Sequence, residues 1–249
     1  MLDQLAYQHQ FSKKLIIQRK EEIRQLGVEG IEETLNDSSD ILTLLLRANM
    51  LDDAKHKIDD EMMCNQITNI LGAGHETTAS CACWTLWLLA THQEEQERLR
   101  AECLSLLETD QEPDWSKIKD LEYLDGVVKE SLRIHPPTPR VARICPKDSV
   151  IDGVIIPKGT MLLSANNVIN RDKFIWGEDA DSFKPTRWKS ENIPTNYDAR
   201  FSMMTFLAGP HACIGKQMAI MELKAVLLGL IGKFKFEVSS LQPDVTPSE

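Results

Sequence analysis

The residues best placed to do chemistry lie in the stretch FLAGPHACIG, from Phe206 to Gly215. Two glycines flank Cys213 in a chain that holds only 12, and an apolar, helix-like run follows from about Lys216. The positive end of such a helix favours a thiolate over a thiol. Gly209 and Gly215 permit unusual backbone angles and close approach of a flat partner, and backbone N–H groups aimed at the sulfur would tune its basicity.

Three kinds of site could use such a thiol. A zinc site needs three further ligands, and His211 is the only nearby candidate, which disfavours zinc. A nucleophilic cysteine needs a histidine base, and His211, two residues away, makes that arrangement unusual but possible. A thiolate held in a glycine-flanked loop and facing a planar ligand suits haem iron best.

A second polar stretch, AGHETT from Ala73 to Thr78, lies in the middle of a long helical pattern. Gly74 costs a helix about 1 kcal/mol relative to alanine, and a threonine hydroxyl can bond a carbonyl one turn back and bend the helix. The stretch is either a tolerated irregularity or a kink with polar groups inside a core. The zinc-protease pattern H-E-x-x-H fails because Ala79 occupies the second histidine position. Glu76 and Thr77 then remain as an acid and alcohol pair that handles protons beside a bulky group.

Two further signals are weak when taken alone. Glu130 and Arg133 in KESLR lie three residues apart on one helical face, a pair that is common on surfaces and worth little there. In FKPTRW, Arg187 stands between Pro185 and Trp188 and could meet that pair in a buried network.

The elements that position these residues are mainly helical, with a small antiparallel β portion late in the chain. The long pattern from Ile58 to Gln93 spans about 50 Å, and its apolar middle argues for burial. The stretch SVIDGVIIPKGTMLLSA predicts a hairpin sheet, and KFKFEVSS alternates like a strand. Residues 30–40 and 171–200 are expected to be loop-rich. Other helices are predicted over residues 2–26 (ending near Gly27), 41–49, 93–107, 121–134 and 216–231.

Composition excludes several classes of protein. The net charge of −10 argues against nucleic-acid binding by bulk electrostatics. The six cysteines include no C-x-x-C pair and do not form a disulfide scaffold, so a reducing compartment is favoured. No apolar stretch is long enough for a signal peptide or a membrane span.

Four motifs occur together and in order, and their combination resembles the cytochrome P-450 family of haem-thiolate monooxygenases, in particular fungal and eukaryotic microsomal-type members. The family's F-x-x-G-x-R-x-C-x-G loop is matched by Phe206, Gly209, Cys213 and Gly215, with His211 in place of the arginine. The other three motifs are the A/G-G-x-D/E-T-T helix, matched by Ala73, Gly74, Glu76, Thr77 and Thr78; E-x-x-R, matched by Glu130 and Arg133; and P-x-R-F/W, matched by Pro185, Arg187 and Trp188.

The resemblance implies haem b, with its iron bound axially by the Cys213 thiolate, and insertion of one atom of O2 into a small, apolar organic substrate. It implies that Glu76 and Thr77 deliver protons and that Ala73 and Gly74 leave room for O2 and substrate. Arg143, helped by His211, would hold a propionate. Glu130, Arg133 and Arg187 would form a structural network, and the segment from Thr138 to Val141 would line the substrate pocket.

The same resemblance implies an electron donor of the NADPH-cytochrome reductase type, since no nucleotide-binding glycine motif is present. It places the full-length protein on the cytoplasmic face of the endoplasmic reticulum. The chain resembles the C-terminal half of the fold as one domain, residues 1–249, with helices in 1–57, the long oxygen-activating helix in 58–93, and the remaining motifs in 94–249. Two alternatives stay open: a truncated, catalytically incompetent, haem-free remnant, and a thiol-dependent enzyme using Cys213 and His211.

Overall fold

The computed structural model describes residues 2–33, 40–51 and 57–239. The chain divides into two compact units, residues 1–75 and 76–249. The fold is mainly α-helical with small antiparallel sheets, as the sequence predicts. None of the helices in the described ranges is both long and apolar enough to span a bilayer.

The first unit contains helix α1 (Leu2–Glu33), helix α2 (Ile41–Leu51) and the start of helix α3 (Asp60–Thr91). The prediction that α1 ends near Gly27 is wrong, because one glycine costs a helix only about 1 kcal/mol and the residues around it are compatible with a helix. The loop predicted over residues 30–40 is likewise helical as far as residue 33, and residues 34–39 lie outside the described ranges. The core of this unit consists of Ile16, Ile23, Leu46, Met63 and Cys64.

Helix α3 matches the predicted long helix closely, but its middle is not buried. Leu71 is 47% exposed, and every residue from Gly72 to Thr77 is exposed. The reason is that the buried clusters engage the ends of the helix. Met63 and Cys64 belong to the core of the first unit, whereas burial in the second unit begins only at Cys81.

The second unit is built on packed helices, which place the functional loop. Its core joins residues from the end of α3 to α4 (Gln93–Thr109), α5 (Trp115–Ile118), α6 (Glu122–Ile134) and the last helix, Lys216–Ile231. Fully buried members of this core are Leu89, Leu99, Leu124, Val127 and Leu227.

Between α6 and the last helix lie two small sheets and several short helices. Four strands form two antiparallel pairs: β1 (Arg140–Ile144) with β4 (Met161–Ala165), and β2 (Ser149–Ile151) with β3 (Val154–Ile156). Asp152 and Gly153 have φ of 48° and 77°, as a two-residue hairpin turn requires, which confirms the predicted D-G hairpin. Short helices follow at α7 (Asn166–Ile169), α8 (Lys173–Trp176) and, as 3-10 turns, Pro185–Trp188, Ser190–Asn192, Met204–Phe206 and Gly209–His211.

The last helix, α9 (Lys216–Ile231), is tied to α6 by an ion pair. The Lys224 ammonium is 3% exposed and lies 2.7 Å from the Asp125 carboxylate, which also lies 2.6 Å from Lys129. Burial raises the pKa of Asp125, but the hydrogen bonds from Lys129 and Lys224 outweigh it and hold the pKa below its ordinary value. Asp125 is therefore charged near neutral pH and joins the helix that follows Cys213 to the helix that carries Glu130.

The prediction of a strand at KFKFEVSS is wrong for residues 233–239, which form none. Side chains of α4 take the backbone groups that a strand partner would use. The Gln96 amide accepts from Phe236 N at 2.8 Å and donates to Phe236 O at 2.8 Å, and Gln93 donates to the same carbonyl at 2.9 Å. The alternating pattern therefore marks an extended segment that pairs with glutamines rather than with a sheet.

Candidate functional site

The loop that carries Cys213 is closed by its own backbone. The Cys213 N–H donates to the Phe206 carbonyl at 2.8 Å, and the Ala212 N–H donates to the Gly209 carbonyl at 3.1 Å. Gly209 has φ of +74°, a value that favours glycine, so the predicted need for unusual backbone angles is confirmed there. Leu207 also has a positive φ, +58°, which costs a residue with a side chain on the order of 1–3 kcal/mol.

The same prediction is wrong for Gly215. Its φ is −86°, which any residue can adopt, and a Cβ built there would meet only the Cys213 sulfur, at 4.0 Å. Gly215 instead precedes the first turn of α9, where its carbonyl accepts from the Ala219 N–H at 2.9 Å. Cys213 thus lies just before the N-terminus of α9.

Cys213 is one of two exposed cysteines among the six, the other being Cys83. Burial raises the pKa of the Cys81 and Cys103 thiols to about 12, so both stay protonated at neutral pH. Cys64 and Cys145 are buried as well, so reactive or metal-binding thiol chemistry falls to the two exposed cysteines. Of these two, Cys213 has the loop and the helix start behind it.

The donor set around Cys213 fits a metal that brings its own ligands. Within the described ranges, no three His, Cys, Asp or Glu side chains are grouped so as to hold an ion. A protein-bound zinc centre needs four ligands, whereas haem supplies four nitrogens and needs one axial donor. The exposed thiol, with Ile214 fully exposed beside it, therefore fits haem and does not fit zinc.

The predicted network of Glu130, Arg133 and Arg187 is present and buried, and Trp188 joins it. Glu130 and Arg133 are both 0% exposed, and the Arg133 guanidinium donates to the two Glu130 oxygens at 2.9 Å and 2.8 Å. The Arg187 Nε donates to Glu130 at 3.2 Å, and the Trp188 indole N–H donates at 2.9 Å. The backbone N–H of Lys184 adds a fifth bond at 3.1 Å.

The remaining donors of the two arginines fix the segments that follow β4. Arg133 donates to the carbonyls of Asn170, Ala180 and Ser182, at 2.9 Å, 2.5 Å and 3.1 Å. Arg187 donates to the Asp179 carboxylate at 2.8 Å and lowers the pKa of that group. The network therefore joins α6 to residues 170–188 with almost every donor satisfied, as a buried charge cluster requires.

The other predicted site residues lie on helix α3, around strand β1 and in the Cys213 loop itself. Glu76 and Thr77 are exposed on α3, and the Thr78 hydroxyl beside them is buried without a hydrogen-bond partner there. Ala73 and Gly74 are exposed in the part of α3 that belongs to the first unit. Arg143 is exposed on β1, His211 is exposed in the loop, and Thr138 is exposed before β1.

One histidine that the sequence reasoning did not single out closes α6. The His135 ring stacks on Trp84 with centroids 4.4 Å apart and planes at 13°. Burial and the nearby Arg171 charge lower the pKa of His135 to about 4. Its neutral ring serves packing at neutral pH.

Sequence reasoning also missed Asn170 and Thr205, which lie between the network and the loop. Asn170 is 0% exposed and donates to the Thr205 hydroxyl at 2.9 Å. Neither residue belongs to a recognisable motif, and the only signal in the sequence was an asparagine directly after the apolar pair Val168 and Ile169.

Comparison with known proteins identifies the family of this chain. The sequence profile of the cytochrome P450 family matches residues 1–249. The chain is 35% identical to cytochrome P450 monooxygenase 205 of Postia placenta, over 91% of this chain and 45% of that protein. It is 35% identical to human cytochrome P450 4F12, over 94% of this chain and 45% of that protein. The chain thus spans about half the length of the curated relatives it matches, and it belongs to the cytochrome P450 family.

Proposed function

We propose that this chain carries the haem-thiolate half of a monooxygenase, in which the Cys213 thiolate would hold the iron of haem b. The observation that carries the proposal is the Cys213 loop, an exposed thiol at a helix start with its backbone N–H bonded to Phe206. A bound haem would supply the iron chemistry by which one atom of O2 enters an organic substrate and the other leaves as water.

The residues of the chain have separate tasks in this proposal. The Cys213 thiolate binds the iron, and the α9 N-terminus stabilises its negative charge. Arg143 and His211 bind the haem propionates. Both side chains are exposed and so are accessible to a ligand. His211 supplies a hydrogen-bond donor at the position where the family motif has an arginine.

Proton handling is assigned to Glu76 and Thr77. Both are exposed on one turn of α3, so the acid can exchange protons with solvent while the hydroxyl of Thr77 holds one at its Oγ. Ala73 and Gly74, one turn earlier, have small side chains that leave room for O2 and for a small apolar substrate. The segment from Thr138 to Val141 is proposed to line that pocket.

Electrons come from a separate protein in this account, of the NADPH-cytochrome reductase type. The support is the lack of a nucleotide-binding glycine motif in this sequence together with the family assignment. A location on the cytoplasmic face of the endoplasmic reticulum is proposed on the same family ground alone.

The activity is tested by joining this chain to the amino-terminal region of a relative and supplying a reductase, reducing equivalents and 18O2. The account predicts incorporation of one labelled oxygen per product molecule, abolished in Cys213→Ala. In Thr77→Ala we expect haem content to be unchanged and more peroxide per reducing equivalent, because proton delivery is impaired. Equal coupling in Thr77→Ala and in the natural sequence would remove Thr77 from the mechanism. Product without label would contradict monooxygenation.

A further inference from the structure

We infer that Asn170 and Thr205 are positioning residues that connect the buried arginine network to the Cys213 loop. The inference rests on the proposed function, because it concerns how the fold holds the loop whose Cys213 thiolate is proposed to bind the iron. Neither residue belongs to the four motifs. Their proposed role is to hold the short helix Met204–Phe206, from which the Cys213 loop continues.

Asn170 is placed so that each of its polar groups has a partner. Its carbonyl accepts from Arg133 at 2.9 Å, and its backbone N–H donates to Asn166 at 2.9 Å. Its side-chain oxygen accepts from the Met204 N–H at 2.9 Å, and its amide N–H2 donates to the Thr205 hydroxyl at 2.9 Å. A side chain that is 0% exposed and hydrogen-bonded through both its oxygen and its nitrogen fixes both of its neighbours.

Thr205 completes the connection to α6. Its hydroxyl donates to the Leu132 carbonyl at 2.8 Å while it accepts from Asn170, so it uses both of its functions. Leu132 precedes Arg133 in the helix. The turn Met204–Phe206 is therefore held from two sides, by Asn170 and by the last turn of α6.

The turn ends at the residue that the loop depends on. Phe206 is its last residue, and the Phe206 carbonyl accepts the Cys213 N–H at 2.8 Å. The strained φ of Leu207, +58°, follows directly and needs a fixed turn before it, because strain persists only where its surroundings hold it. Loss of the hydrogen bonds made by Asn170 or Thr205 should therefore weaken the hydrogen bond from the Cys213 N–H to Phe206 before it destabilises the helices.

The test is amide hydrogen exchange by NMR, residue by residue, on the chain as it stands and without haem. In Asn170→Leu we expect exchange at the Cys213 amide to rise about tenfold more than at Leu227, a core residue of α9. Losing a buried hydrogen bond changes a local opening equilibrium by roughly that factor. Asn167→Leu is the matched control, since Asn167 lies in α7, the short helix that Asn170 caps, and its buried side-chain oxygen has no partner within the described ranges.

Thr205 gives a second arm that does not depend on the folding of Asn170→Leu. Thr205→Val keeps the shape and removes the hydroxyl, so it should speed exchange at Cys213, and Thr205→Ser should restore protection. The inference is overturned if Thr205→Val raises the exchange rate of the Cys213 amide no more than that of the Leu227 amide. It is also overturned if Asn167→Leu raises exchange at Cys213 as strongly as Asn170→Leu does.

A spectroscopic readout separates this inference from the proposed function. At equal haem content, Thr205→Val should lower the fraction of the reduced carbon monoxide complex that shows the red-shifted, thiolate-bound Soret band, and Thr205→Ser should recover it. If that band persists in Cys213→Ala, the proposed ligand is wrong, while the exchange results still decide the link. If Cys213→Ala abolishes the band but exchange at Cys213 is unmoved by either variant, the link alone is wrong.

Discussion

Removal of the Glu130 charge is the perturbation whose effect the structure predicts most sharply. Five N–H donors converge on its carboxylate, two from Arg133 and one each from Lys184, Arg187 and Trp188. In Glu130→Gln the side chain keeps its shape, but one oxygen becomes an N–H2 group that faces other donors. Two guanidinium groups are then left in a buried site without a countercharge at its centre.

The expected loss of stability follows from that burial. Removing one partner of a buried ion pair costs about 3–5 kcal/mol because the remaining charge is not solvated. Both Glu130 and Arg133 are 0% exposed, so solvent screening does not reduce this cost. A domain has a free energy of unfolding of about 5–15 kcal/mol, so Glu130→Gln should remove about a fifth of it or more.

Urea denaturation followed by tryptophan fluorescence is the suitable assay, because all five tryptophans lie in residues 76–249 and Trp188 contacts Glu130 directly. Asp181→Asn is the matched control, since it makes the same change at an exposed pair, Arg171 and Asp181, 3.4 Å apart. Exposed pairs contribute about 0–1 kcal/mol. If Glu130→Gln lost no more stability than Asp181→Asn, the buried network would not be what stabilises the packing of α6 against residues 170–188.

Three further predictions concern packing and charge in the same unit. A Cβ added at Gly126 would lie 2.6 Å from the Pro185 carbonyl oxygen, so Gly126→Ala should lower the free energy of unfolding by about 1–3 kcal/mol. A Cβ added at Gly229 would meet nothing within 4 Å, so Gly229→Ala should leave that free energy unchanged or raise it by up to about 1 kcal/mol. The urea midpoints of the two variants test both expectations. The pKa of His135 falls from 6.5 to about 4 on folding, so stability is full above pH 6.5 and declines by up to about 1.4 kcal/mol per pH unit as the pH falls towards 4. His135→Phe should remove that part of the slope, and an unchanged slope would show that another group is responsible. Asp125→Asn should cost about 2 kcal/mol at pH 7, and because the folded pKa of Asp125 is lowered, the cost should fade as the pH drops below about 4; a cost that is constant down to pH 2 would contradict the charged pair.

The sequence predicted those features that depend on residue type at fixed spacing. The E-x-x-R spacing places Glu130 and Arg133 on one face of a helix, and an arginine after a proline reaches them. Gly209 needs a positive φ, and the Asp152–Gly153 hairpin needs two. Each of these requirements is local, so it is visible along the chain.

The predictions that failed concern features that depend on contacts between residues distant in the sequence. The alternation in KFKFEVSS is identical to that of a strand, and only the fold shows that Gln93 and Gln96 take its backbone groups. Asn170 and Thr205 are common residues whose role exists only because α6 brings Leu132 and Arg133 beside them. The apolar middle of α3 predicted burial, but its exposure is decided by which residues pack around it.

The most direct test of the central claim is the Soret band of the reduced carbon monoxide complex after the chain is loaded with haem b. The account predicts a strongly red-shifted band for the natural sequence and for Cys83→Ala, the control at the other exposed cysteine. It predicts that Cys213→Ala loses this band while still absorbing as a haem protein. A red-shifted band that survives in Cys213→Ala, or a natural chain that shows no haem band at all, would contradict the assignment of Cys213 as the thiolate ligand.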